Sequence, residues 1–451
     1  MATITAPPPF LPLTRSDQSV LLGSGVSAYS LVITYVLLLP LLFFAVRGNF
    51  SFEYASQNTA EMGIYGAEMM VNYGKGSILH SLELLFYYGI IGMAMLPFWR
   101  QVAAASLQNK LSFLLPLWAM LSMVWSQEPK RSLAFATLVL INTFFAVYLS
   151  VRFKPKQQLQ IFLLAGIIAT VGSFILLAVM PKAAIDHKNQ MIGVEGIYPH
   201  KNICGVITAL FMLPAFFYKF SGKSASLKRA LYLLAGSALI AISTSRTGWL
   251  VFAACVSFVY LSKLLRRLRS VERLLVVLFV PSVLASIGWL VYSFRGEILA
   301  LLHKSPTLSG RTQVWHIVFL SIFKRPILGF GYDAFWLGFK GEVVHMILAA
   351  GARNLTNAEN AILQLWLEVG LVGVFLILAM LFQGCRNAIK CFRSDTPNYA
   401  LWYMSMLFLE ILALGDGQRY MIPHSIEWTI LVLANAGLAM EAKRVQALAS
   451  I

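Results

Sequence analysis

The chain has 451 residues, of which 58% are apolar and 12% charged, and its mean hydropathy is +0.72. Soluble domains run about 45–50% apolar and about 25% charged, so a soluble enzyme, a disordered chain and a secreted disulfide scaffold are excluded. The 36 Lys and Arg against 19 Asp and Glu then read as the positive-inside bias of a membrane protein, with no nucleic-acid partner expected.

Residues 1–26, which include TAPPPFLPLT, lack the basic start and short apolar core of a signal peptide and read as a disordered tail. Apolar runs long enough to cross a bilayer follow near 27–46, 79–98, 111–126, 132–151, 161–180, 203–220, 229–244, 247–264 and 273–294. Three more lie near 361–383, 399–416 and 425–441, after a long stretch at 295–360. Backbone amides find no water in lipid, so each run is expected to be helical. The expected fold is an all-α polytopic bundle of about 12 spans, the third and seventh being short. Nine spans occupy 27–294, a partly helical outer loop 295–360, three spans 361–441, and a short tail 442–451. No matched pair of interrupted helices is visible in the two halves, which speaks against an inverted-repeat transporter.

With the N-terminus inside, 20 Lys and Arg fall on inner segments against 9 on outer ones, leaving aside the long loop. Both termini are therefore expected on the cytoplasmic side and the loop outside. Glu83, Glu368, Glu410 and Glu427 interrupt apolar runs, each toward the outer end of its helix. Carboxylates at such depth face a bundle interior or wet cavity, or snorkel to the interface. The four cysteines, Cys204, Cys255, Cys385 and Cys391, have no framework spacing, and neither a disulfide nor a metal site is expected.

Chemistry-bearing residues gather on the expected outer side. His200, Lys201 and Asn202 in IYPHKNICG precede an apolar helix, as a polar turn suited to sugar or phosphate or as a plain helix start. Arg246 stands in STSRTG between two apolar helices, and Arg311 follows Ser309-Gly310. A guanidinium fork suits phosphate oxygens; the alternative is an interfacial anchor or a salt bridge to Glu368 or Glu410. From Arg311 to Lys324, Trp315, Val318, Phe319, Ile322 and Phe323 recur at helical spacing, as a helix on the outer leaflet or a lid on the bundle. Gly329-Phe330-Gly331 would let backbone approach a phosphate or form a turn. Glu359 and Asn360 open the helix AILQLWLEVGLVG, Glu359 as a general base or as a charge complement to the helix dipole. His345 is a second candidate base, and Arg419, between the last two runs, is a further outer cation.

GIYPHKNICG, STSRTGWL, SGRTQVW, RPILGFGYDAF and NAENAILQLWLEVGLVG, in this order, resemble the O-antigen ligase and polysaccharide polymerase superfamily of bacterial inner membranes, most closely its exopolysaccharide polymerases. The resemblance implies an inverting, metal-independent glycosyl transfer without a soluble cofactor. Donor and acceptor would both be glycans on polyprenyl pyrophosphate, with membrane lipid, a flippase and a chain-length regulator as partners. It implies Arg246 and Arg311 on the pyrophosphate, with Glu359 as base, or His345 or His200 in that role, or no discrete base because pyrophosphate already leaves well. It places His200, Lys201, Asn202, Asn360, Glu368 and Arg419 on substrate. Glu359 stands where many ligases and polymerases carry histidine. The alternatives are a ligase passing glycan to lipid A core or protein, and a transporter or flippase of lipid-linked sugars.

Overall fold

The computed structural model describes residues 36–46, 78–186, 192–268, 311–337, 357–358, 360–392, 399–413 and 425–449. Helices dominate: α1 Leu38–Ala45, α2 Ile78–Met95, α3 Trp99–Gln108, α4 Lys110–Leu121, α5 Pro129–Arg152, α6 Pro155–Val179 and the single turn α7 Pro181–Ala184. They continue with α8 Lys201–Met212, α9 Ala225–Ile242, α10 Arg246–Arg267, α11 Arg311–Ile322, α12 Ala361–Phe392, α13 Tyr399–Ala413 and α14 Ile426–Ala449. Six helical stretches among the described residues are long and apolar enough to span a membrane, and three shorter apolar ones accompany them. The run at 273–294 lies outside the described residues. The all-α expectation is amended by one antiparallel hairpin, β1 Ile185–Asp186 with β2 Gly193–Val194, which pairs Ile185 with Val194 and Asp186 with Gly193.

Local chemistry sets the breaks. Proline opens α5 and α6, where its missing N–H costs nothing, and the Gln157 side chain accepts from the Lys154 amide at 2.9 Å to close the turn between them. Pro97 and Pro214 fall in 3₁₀ turns that end α2 and α8. The apolar run near 203–220 is therefore divided, and α8 proper has 12 residues.

On α12, Leu371, Phe375, Leu378 and Phe382 recur on one exposed face while Gly373, Ile377, Met380 and Gly384 are buried. An apolar face turned outward is the pattern of a helix in lipid. The axis of the bundle is α14, buried over most of its length against α5, α12 and α13. A helix buried all round lies inside the bundle. Polar groups there are matched across helices: Trp428 Nε1 donates to Thr143 Oγ1 at 2.9 Å, and Tyr403 donates to Gln158 Oε1 at 2.9 Å.

The expected amphipathic helix forms as α11, but in a different rotation. Val314, Val318 and Ile322 are buried against Phe330, Phe335, Trp336 and Leu367, whereas Phe323 is 71% exposed and Phe319 also faces out. Its apolar face covers α12. One interruption of a long helix also appears where none was expected: Gly370 inside α12 has φ 72° and ψ −174°.

Candidate active site at one end of the bundle

Successive antiparallel helices bring the starts of α5, α8 and α10 and the ends of α6 and α9 to the same end. His200 caps α8, its Nδ1 accepting from the Asn202 amide at 3.1 Å. An accepting Nδ1 leaves the proton of the neutral ring on Nε2, which lies 3.9 Å from Oδ2 of the buried Asp186. Lys201 begins α8 and is buried, and Asn202 is half-buried. Ser245 caps α10 by accepting from the Gly248 amide at 3.0 Å, and Arg246 is the first helical residue, exposed at the rim.

Backbone contact holds these two starts together. A β-carbon on Gly248 would lie 2.7 Å from Gly205 Cα, so α8 and α10 touch without an intervening side chain. The hairpin is wedged in the same place. A β-carbon on Gly193 would meet the Ser243 carbonyl at 2.3 Å and Lys201 Cδ at 2.9 Å, and Thr244 Oγ1 donates to the Ile192 carbonyl at 3.2 Å. Two helix N-termini, the buried Lys201 and Asp186 and the exposed Arg246 thus share one region. Upstream, the Tyr198 phenol is fully buried, which holds its pKa well above the usual range.

A second assembly surrounds the start of α12. Asn360 caps it, its Oδ1 accepting from the amides of Ile362 and Leu363, both at 3.0 Å. Gln364 Oε1 accepts from the Ala358 amide at 2.8 Å and from Trp336 Nε1 at 2.9 Å, which turns its Nε2 toward the Glu368 carboxylate. Trp315 Nε1 of α11 donates to the Ala358 carbonyl at 3.1 Å. Both amide groups of Ala358 are thereby held, one residue before Glu359. Glu359, His345 and Arg419 lie outside the described residues, as does the side chain of Arg311; the backbone of Arg311 opens α11. Glu368, Glu410 and Glu427 are buried within the bundle, and Glu83 is half-buried.

Gly329-Phe330-Gly331 forms a turn against protein, with no face left for phosphate. The Phe330 amide donates to the Leu367 carbonyl at 3.0 Å and the Gly331 amide to the Glu368 carbonyl at 2.9 Å. A β-carbon at Gly331 would strike Ser126 Oγ at 2.3 Å. The interruption at Gly370 frees these carbonyls, and Trp118 Nε1 takes the third, of Val369, at 2.9 Å. Sequence reasoning missed Arg131, in the first turn of α5. Its guanidinium binds Asp333 Oδ2 at 2.8 Å and the Asp333 carbonyl at 2.8 Å. The GYDAF segment shows no sign of a partner 202 residues away. Among the described residues, no group of three or more His, Cys, Asp or Glu comes together as a metal site.

A multi-pass helical membrane protein, with capped turns and cations collected at one end, is the class that fold and site define. Residues 231–378 match the family model described as O-Antigen ligase. That region takes in Arg246, α11, the 326–331 turn and the first half of α12, and it bears out the resemblance carried by the motifs. The chain is 23% identical over 326 residues to "Exopolysaccharide production protein ExoQ" of Rhizobium meliloti (strain 1021), covering 70% of this chain and 73% of that protein. It is also 23% identical over 338 residues to "Putative polysaccharide ligase" of Rickettsia felis, covering 72% of this chain and 79% of that one.

Proposed function

We propose that this protein is a glycosyltransferase that joins polyprenyl-pyrophosphate-linked repeat units into an exopolysaccharide at the outer face of a bacterial inner membrane. The observation that carries the reading is the pairing of the α8 and α10 N-termini. It joins the helix start that carries the buried Lys201 to the one that carries the exposed Arg246, and Arg246 lies in the stretch that matches the O-antigen ligase model.

In this reading the acceptor hydroxyl attacks the anomeric carbon of the donor sugar from the face opposite the pyrophosphate. The new C–O bond forms as the anomeric carbon–pyrophosphate bond breaks, and the electron pair leaves on the lipid pyrophosphate. Arg246 and Arg311 hold that developing charge, the kind of preorganised stabilisation whose loss costs about 10²–10³ in rate. The proton of the acceptor hydroxyl passes to Glu359, with His345 as the alternative base. His200, whose proton stands on Nε2, serves as a donor to sugar or phosphate oxygen, beside Lys201 and Asn202. Asn360 and Glu368 shape the α12 turn, and Arg419 contributes a further cation to substrate binding. The pyrophosphate supplies the driving force, so neither metal nor soluble cofactor enters the scheme. A flippase that delivers the donor and a chain-length regulator are its functional partners.

A ligase that transfers glycan to lipid A core or protein shares this chemistry, and the family description favours keeping it in view. Similarity to "Exopolysaccharide production protein ExoQ" favours the polymerase. A transporter or flippase of lipid-linked sugars is the third reading. Purified protein incubated with a lipid-linked repeat unit separates them. A product ladder identifies a polymerase, a single adduct on a second acceptor a ligase, and vesicle transport without glycosidic bonds a transporter. Reporter fusions after residues 224 and 340 are expected to read cytoplasmic and outside; the reverse overturns the orientation.

A further inference from the structure

The opposite end of α10 carries a cluster that glycosyl transfer does not use. With 22 residues, α10 is about 33 Å long, so its last turns lie across the membrane from Arg246. Lys263 Nζ donates to the Phe216 carbonyl at 3.4 Å and stands 5.5 Å from the Phe217 ring centroid and 5.8 Å from that of Tyr260. From α9, the Arg229 guanidinium lies 5.8 Å from the Phe216 ring, which itself meets Tyr260 edge-on at 6.2 Å. Lys263 is within electrostatic range of both Arg229 and Arg267.

Two cations, Lys263 and Arg229, thus meet on one aromatic step, and Arg267 follows one turn after Lys263 on α10. Among the described residues, none of the three is paired with a carboxylate. A general excess of inner-side Lys and Arg accounts for their number; it does not account for their convergence, which repels unless an anion joins them. Tyr260 of the step and Leu264 beside Lys263 are exposed, an apolar surface next to the cations. Basic pockets between membrane helices with this composition bind lipid head groups.

We propose that Arg229, Lys263 and Arg267 form a binding site for the phosphate of an anionic phospholipid, with Phe216, Phe217 and Tyr260 as its floor and the acyl chains lying along α9 and α10. The site is independent of the glycosyl-transfer reading.

Full-length protein purified in neutral detergent is titrated with phosphatidylglycerol, cardiolipin or phosphatidylcholine, while native mass spectrometry follows bound lipid and heating follows unfolding. The two anionic lipids are expected to bind about tenfold more tightly than phosphatidylcholine and to raise the unfolding temperature. Arg229→Gln combined with Lys263→Gln is expected to remove most of that preference, and Arg229→Lys with Lys263→Arg to keep it. Equal retention of all three lipids by the unaltered protein overturns the proposal, whatever the variants do. Glycerol phosphate or inorganic phosphate matching the lipids at equal concentration also overturns it, because the site would then hold free phosphate. An unchanged preference in a folded double Gln variant removes these residues from the site.

Discussion

Gly370 and Ile327 lie so close that a β-carbon on Gly370 would sit 1.9 Å from the Ile327 carbonyl oxygen. The contact stands where α12 is interrupted, and the 326–331 turn supplies amides to the Leu367 and Glu368 carbonyls while its Pro326 carbonyl accepts from the Leu371 amide. Irregular backbone at membrane depth is tolerated only where protein satisfies it in this way. Gly370→Ala meets both the clash and a backbone region that is essentially glycine-only, which by itself costs about 1–3 kcal/mol. We expect a lower unfolding temperature and loss of monodisperse protein in detergent. An unaltered unfolding curve would refute the interruption.

Arg131 and Asp333 fasten the same turn to α5. Hydrogen bonds to charged groups are worth about 1.5–3 kcal/mol. Arg131→Asp alone is predicted to expose the 326–337 segment to protease, and Arg131→Asp with Asp333→Arg to restore part of the protection. Equal cleavage of both variants and the unaltered protein would show that the pair does not hold the turn.

For Arg246, replacement by Ala is predicted to lower product formation about 10²–10³-fold with membrane insertion intact. Arg246→Lys remains impaired, since an ammonium lacks the planar fork. The same pair of changes at Arg311 tests the second cation. Full turnover in either Ala variant dismisses that residue from the pyrophosphate.

His200 is both a cap and a candidate donor, and His200→Asn divides the two. Asparagine caps helices well, so stability should hold, while loss of the Nε2 proton is expected to lower turnover by about tenfold, the worth of one hydrogen bond at roughly 1.4 kcal/mol. Turnover equal to that of the unaltered protein would leave His200 with the cap alone.

Glu359→Gln addresses the proton acceptor. General-base catalysis is worth about 10²–10⁴ in rate, and a fall of that size is expected in the ladder assay. Near-normal turnover rules Glu359 out as the base. Asn360→Ala serves as the reference for damage to the turn itself, with about 0.5–2 kcal/mol of lost capping read as a shift in unfolding temperature.

What could be read from sequence was what is local. His200 and Asn360 stand at helix starts because capping joins residues two or three apart, while Asn202, the residue type expected at a cap, supplies the amide that His200 accepts. Glu368, Glu410 and Glu427 were legible as interior groups because a carboxylate in an apolar run has few other places to go. The rotation of α11 was not legible. Its apolar residues are too many for one face, and only the position of Phe330, Phe335 and Leu367 selects Val314, Val318 and Ile322 for burial.

Composition and apolar periodicity, by themselves, determined a helical membrane protein with its candidate site residues in a few short turns, since partition between lipid and water acts on each segment separately. Which turns meet was decided only in three dimensions. Gly205 against Gly248, Ile327 against Gly370 and Arg131 against Asp333 join distant segments. Those pairings depend on close approach and shared hydrogen bonds, and no single segment specifies its partner.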